Sequence, residues 1–254
     1  MGTQAITAQD NLDAPAKALI ALLYAAGARP SADELSRIAE ASNAFTVVFE
    51  GSPHEGWAEA LVTGLSFDIV GLSPAKPVPA PGIAHHIGVE EATLSGLEAI
   101  AVRPGPHLAG GENMLPVVRA ALGLAKALAG KTRAEAIVWL PARSAMRPRL
   151  FATTVDEWLS GGAFPGIGLT ALMPDAEGGV TSEGLAFFIG QEIAIAPAAG
   201  ISAADNAKLA ARLIHELVDR GPLSTATRLS GISGEPLLAE PSADGRTVLI
   251  RRQS

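Results

Sequence analysis

The stretch Ala136-Ile137-Val138-Trp139-Leu140-Pro141 decides how the chain is read. Five apolar residues in a row, closed by a proline, predict a short strand buried on both faces. Upstream, residues 114–129 carry a long helical pattern, with Gly130 placed to end it. Downstream, a helix is expected over 148–160, stopped by Gly161-Gly162. A buried strand between two helices sets the class of the fold.

The same reading extends outward in both directions. Strand-like runs at Ile83–Val89 and Leu97–Val102 precede the long helix, and others near Ile167–Leu172 and Leu185–Ile195 follow the second helix. A last long helix is capped by Ser202, with Asp205 three residues on. It buries Leu209, Leu213, Ile214 and Leu217 and ends at Gly221-Pro222. Thr247–Ile250 reads as a closing strand. The order strand–strand–helix–strand in the second and third quarters recurs in the last third, without any residue-level repeat. The expected fold is α+β: a mixed or antiparallel sheet with helices packed on one face, in two similar halves.

The N-terminal part is read as a helical pair. Ala18–Ala28 is expected as an amphipathic helix opened by Asp13, with Pro15 in its first turn. Ser31 and Glu34 form a capping box for a second helix that buries Leu35, Ile38 and Ala39 and ends at Ser42. A β-like run at Phe45–Glu50 and a segment holding Trp57, Leu61 and Val62 come next. Residues 1–43 are thus expected to pack on an α+β domain over 44–254. The stretch 71–82, with Pro74, Pro77, Pro79 and Pro81, is its best internal break.

Composition bounds the chemistry. The chain has 254 residues, 48% hydrophobic and 18% charged, and no cysteine. Disulfides, thiolate metal sites and a cysteine nucleophile are excluded. A net charge of −7 and a pI near 5.3 argue against binding nucleic acid or anionic lipid, which needs surplus Lys and Arg. The Ala18–Ala28 run is too short to span a membrane. Ala26-Gly27-Ala28 resembles a signal-peptide cleavage site, but Asp10 and Asp13 against Lys17 leave no basic leader, so a cytoplasmic location is expected.

Motifs are sparse. Gly105 to Gly110 has the spacing of a Walker loop, but Gly111 and Glu112 stand where the lysine and the magnesium-binding hydroxyl belong. Gly231-Ile232-Ser233 and Gly71-Leu72-Ser73 both fail as nucleophile elbows. No catalytic residue, metal or cofactor is assigned. His215 falls opposite the apolar stripe of the last helix and is expected on its solvated face.

Two groups remain as binding candidates. His85 and His86, with Glu90 close behind, are the densest set of metal-ligand types; on a strand the two histidines point to opposite faces and cannot serve one site. Arg143, Arg147 and Arg149 form the most basic stretch, suited to an acidic partner or a small carboxylate.

The C-terminal two-thirds resembles a bacterial family, the domain of unknown function catalogued under number 4261. The resemblance runs through Ala136–Pro141, Arg149-Leu150-Phe151, Leu185–Glu192, the Leu209–Val218 helix ending at Gly221-Pro222, and Thr247–Arg251, about residues 95–252. It implies an α+β domain of bacterial origin and supplies no catalytic residues. The functional expectation is a non-enzymatic interaction or accessory protein that binds a protein partner or a second copy of itself. The alternative is a small-molecule binder or enzyme with its site near His85 and His86.

Overall fold

The computed structural model describes residues 18–253, which build two mixed sheets and six helices. The chain divides after Leu159 into two compact units, and the proline-rich stretch 71–82 lies inside the first.

At the centre of the first unit is β1 (Ile20–Tyr24), all five residues of it buried. This corrects the helix expected over Ala18–Ala28, and with it the N-terminal helical pair; Asp13 and Pro15 lie outside the described residues. The physical reason is that a strand buried on both faces shows no alternation, so its apolar run cannot be told from a helical one by period. β1 pairs antiparallel with β6 (Glu98–Pro104) on one side and with β7 (Ala136–Trp139) on the other. Neighbours on both edges satisfy its backbone in full, and that outweighs the helix propensity of Ala and Leu. The second expected helix forms as α1 (Ala32–Ser42), where Ser31 Oγ accepts from the Glu34 N–H.

The other strands are β2 (Thr46–Glu50), β3 (Trp57–Val62), β4 (Leu65–Val70), β5 (His85–Ile87) and β8 (Ser144–Met146). The sheet order is β2-β3-β4-β6-β1-β7-β8-β5, so β2 and β5 are its two open edges. All pairs are antiparallel except β5 with β8. The helices α1, α2 (Leu115–Lys131) and α3 (Pro148–Leu159) gather on one face.

The opposite face holds Ala21, Leu23, Ala99, Ala136, Val138 and Ala145. Its cover starts inside the expected break 71–82 and runs well past it: Val78, Ile83, Val89, Leu94 and Leu97 pack onto those side chains. Small residues on the sheet let an irregular, proline-stiffened chain lie close against it. Arg29 fastens this cover. Its guanidinium donates to Glu98 (2.8 Å), to the Gly71 carbonyl and to the Ala75 carbonyl (2.8 Å).

The second unit has its own sheet, in the order β12 (Thr227–Ser230), β13 (Pro236–Pro241), β14 (Thr247–Arg252), β11 (Glu192–Ile195), β10 (Val180–Glu183), β9 (Ala171–Pro174). The strands expected near Ile167–Leu172 and Leu185–Ile195 are each split, with α4 (Gly166–Leu169) before β9 and α5 (Leu185–Ile189) before β11. Gly190, at φ +76°, ends α5 and separates it from β11. The long helix α6 (Ala203–Arg220) packs on β9, β10 and β11. The expected order strand–strand–helix–strand is met at β5, β6, α2 and β7, but in the second unit α5 interrupts it between β10 and β11, and the pairings differ as well. In the first sheet β6 and β7 flank β1; in the second, β11 and β12 are separated by β14 and β13.

Candidate functional site

The parallel register of β5 against β8 sets His85 beside Ser144, His86 beside Ala145 and Ile87 beside Met146. Sequence-distant candidates therefore meet at one corner of the sheet. Arg143 makes the junction: its backbone is in the left-handed region, at φ +47°, and its carbonyl accepts the N–H groups of Ala84 (2.9 Å) and His85 (3.2 Å). Beyond β5 the chain passes the first turn of α3, where a Cβ at Gly88 would come within 2.9 Å of Leu150 Cδ2. His85 and His86 are half-buried, while Arg143, Arg147 and Arg149 are exposed.

Ala145 belongs to the face under the proline-rich cover, so His86 lies on that side and His85 on the helix side. The histidines face apart, as the alternation requires. Glu90 is exposed on the turn after β5, where its carbonyl accepts from the Thr93 N–H and hydroxyl. Among the described residues no group of three or more His, Asp or Glu side chains is placed to hold a metal ion.

The corner is positive for a second reason. Arg147 occupies the N-cap position of α3, its carbonyl accepting from the Phe151 N–H (2.9 Å), and the first turn holds no acidic residue. A guanidinium has only donors and cannot cap the N–H groups of Arg149 and Leu150, while Pro148 has none to cap. Two arginines thus stand at the positive end of a helix dipole, against the usual preference. Ser144 Oγ, fully buried beside this arrangement, has no hydrogen-bond partner among the described residues. A local rule broken at several neighbouring positions is characteristic of a functional surface.

A polar row that the sequence reading passed over crosses the other half of the same sheet. Glu59, Asp68 and Arg103 are neighbours across β3, β4 and β6. Asp68 Oδ2 is 3.2 Å from Arg103 Nε, and both side chains are buried. Burial pushes the Asp68 carboxyl above its ordinary range, against the pull of Arg103 and a hydrogen bond from Trp57. Charged residues inside the apolar strands 65–70 and 98–104 were the available signal. On the same face Ser66 Oγ lies 3.4 Å from His107 Nδ1, while the Asp68 carboxylate is engaged by Arg103 and Trp57. Gly105 makes the Ser66 contact possible, since a Cβ there would fall 2.5 Å from Ser66 Oγ.

In the second unit the polar side chains serve the fold. The Glu192 carboxylate accepts from Ser182 and from the N–H groups of Gly184, Leu185 and Ala186, capping α5 from the strand that follows it. Gln191 binds the Leu223 N–H and the Leu223 and Gly245 carbonyls. Asn206 bridges the Gly178 carbonyl and Arg252. His215 is half-buried rather than solvated, edge-on to Phe164 at 6.2 Å. The aromatic ring met on that side of α6 is what a helical wheel cannot show.

Comparison with known proteins adds no assignment: no family model, curated protein or solved structure matches the chain. The resemblance of residues 95–252 to the uncharacterised bacterial family stays an expectation and transfers no site residue. Among the described residues no helix is long and apolar enough to cross a membrane.

Proposed function

We propose that the chain is a non-enzymatic interaction protein whose contact surface is the corner formed by β5, the Arg143 turn and the start of α3. Its partner is an acidic protein surface. The observation that carries this reading is the β5–β8 register, which joins His85 and His86 to Arg143, Arg147 and Arg149 on a chain whose net charge is −7. Exposed guanidiniums at a helix start whose N-cap side chain has only donors offer charge-assisted and bidentate hydrogen bonds to carboxylates. Ser144 Oγ, the hydroxyl beside His85, is fully buried and has no hydrogen-bond partner among the described residues, so no base activates it and binding is the chemistry the corner fits.

The test is affinity capture from the lysate of the native host, comparing the wild type with an R143E/R147E/R149E variant by quantitative mass spectrometry. An acidic protein retained by the wild type, weakened by salt and lost from the variant is expected. Equal capture by the two, or none by either, overturns the reading.

A further inference from the structure

The two open edges of the eight-stranded sheet carry opposite charge. Residues 44–62, which include the β2 edge, hold Glu50, Glu55 and Glu59 and no lysine or arginine. β5 itself has no lysine or arginine, but its start is bonded to the Arg143 carbonyl, and Arg147 and Arg149 directly follow its partner strand β8. Glu90 and Glu91, on the turn after β5, reduce this positive charge without cancelling it. Both edges also expose apolar surface. Val48 is 50% and Phe49 52% exposed on β2, and Leu150 is 37% exposed beside β5.

We propose that the acidic surface met by the basic corner is the β2 edge of a second copy of this chain. The inference rests on the interaction reading above and names its partner. An edge strand leaves a row of N–H and C=O groups unpaired, and a second edge strand is their natural complement. Like edges repel: β2 against β2 brings carboxylates together, and β5 against β5 brings guanidiniums together. Charge therefore selects the unlike pairing, β2 to β5, which continues one sheet from copy to copy. Such a head-to-tail contact has no two-fold closure, so each added copy leaves one edge of each kind free. The register shift between Val47 and Phe49 on β2 interrupts its ladder, and the three-residue β5 is short, so the pairing is reversible and not a permanent fibre.

Sedimentation of the full chain from 5 to 500 µM tests this. The weight-average mass is expected to rise with concentration above 25.9 kDa in low salt and to return toward the monomer at high salt. R147E/R149E and E50K/E55K change only exposed side chains, and each is expected to weaken association at least tenfold. Mixing the two variants in equal amounts restores it, because each then supplies the charge the other lost. A wild type that stays monomeric at 500 µM, association indifferent to both variants, or a mixture that fails to recover overturns the proposal. An octaglutamate peptide separates this failure from that of the underlying reading. A monomeric wild type that binds the peptide, with R147E/R149E losing it, overturns self-association alone; no peptide binding and no association removes both.

Discussion

Leu22→Ala tests the assignment of residues 20–24 to the centre of the first sheet. Leu22 is fully buried, sits between Ile100 on β6 and Ile137 on β7, and points to the face where α2 packs. Neighbours on three sides leave little room for collapse into the vacated space, so the cost belongs in the middle of the range for buried leucines, about 3–4 kcal/mol. For a unit of this size each kcal/mol moves the melting temperature by about 3–4 °C, which gives a fall of roughly 10–15 °C. The chain has two units, so a single global melt is not a two-state measurement. The three tryptophans resolve this: Trp57, Trp139 and Trp158 all lie before Leu159, and their fluorescence follows the first unit. Phe49→Ala, at a residue half exposed on the β2 edge, serves as the control and is expected to cost under about 1 kcal/mol. A Leu22→Ala shift no larger than the control's would refute the central placement of β1.

Other substitutions probe other parts. Arg147→Asp puts an acceptor at the N-cap of α3 in place of a donor-only side chain and is expected to stabilise the first unit by about 0.5–2 kcal/mol, read as a higher tryptophan-fluorescence melt; a lower melt contradicts the placing of Arg147 at the N-cap. Because burial raises the Asp68 carboxyl, the folded state holds that proton more tightly than the unfolded chain. The stability it contributes is then complete below the unfolded value, 3.8, and is lost as pH rises through the folded one. Asp68→Asn removes this loss, so its melting point relative to wild type should be higher at pH 7 than at pH 4, and the reverse order would count against the assignment. Glu98 has the opposite sign: hydrogen bonds from Arg29 and the Gly27 N–H hold its carboxyl below the usual value. Its contribution is lost as pH falls through the lowered value, and Glu98→Gln should erase that acid dependence in the same melts. In the second unit, Glu192→Ala leaves the donors of Gly184, Leu185 and Ala186 without their acceptor; hydrogen exchange at those amides should speed by at least tenfold, and unchanged protection would show that the carboxylate is not the cap.

The elements legible in the sequence are those marked by local chemistry. Ser31 and Ser202 announce α1 and α6 because a hydroxyl accepting from the third residue on is a contact within one turn. Gly161 and Gly221 mark helix ends for an equally local reason, a positive φ. β1 was illegible because what makes it a strand is two partners far along the chain. The Leu185–Ile195 run was misread because α5 depends on Glu192, which reaches back from beyond Gly190 to cap it. The corner was legible in its parts and not as a whole. His85 and Arg143 each stood out by residue type, but their meeting is a matter of strand register, which no spacing encodes. The Asp68–Arg103 pair was not legible because 65–70 carries no strand expectation and the expected run Leu97–Val102 stops one residue short of Arg103, so nothing local sets the two side by side.

The position of β1 also shapes how the chain is made. Ile20 pairs with Val102 on one side and with Trp139 on the other, a partner roughly 120 residues further on. At about 5–20 residues per second of synthesis, the strand leaves the ribosome some 6–24 s before its second neighbour exists. Until Val102 is made, Leu19 to Leu23 form an apolar segment with both edges open, and until Trp139 is made one edge stays open, the kind of surface that ribosome-associated chaperones shield. The first unit is therefore expected to depend on such shielding during synthesis far more than the second, whose strands all lie between Ala171 and Arg252.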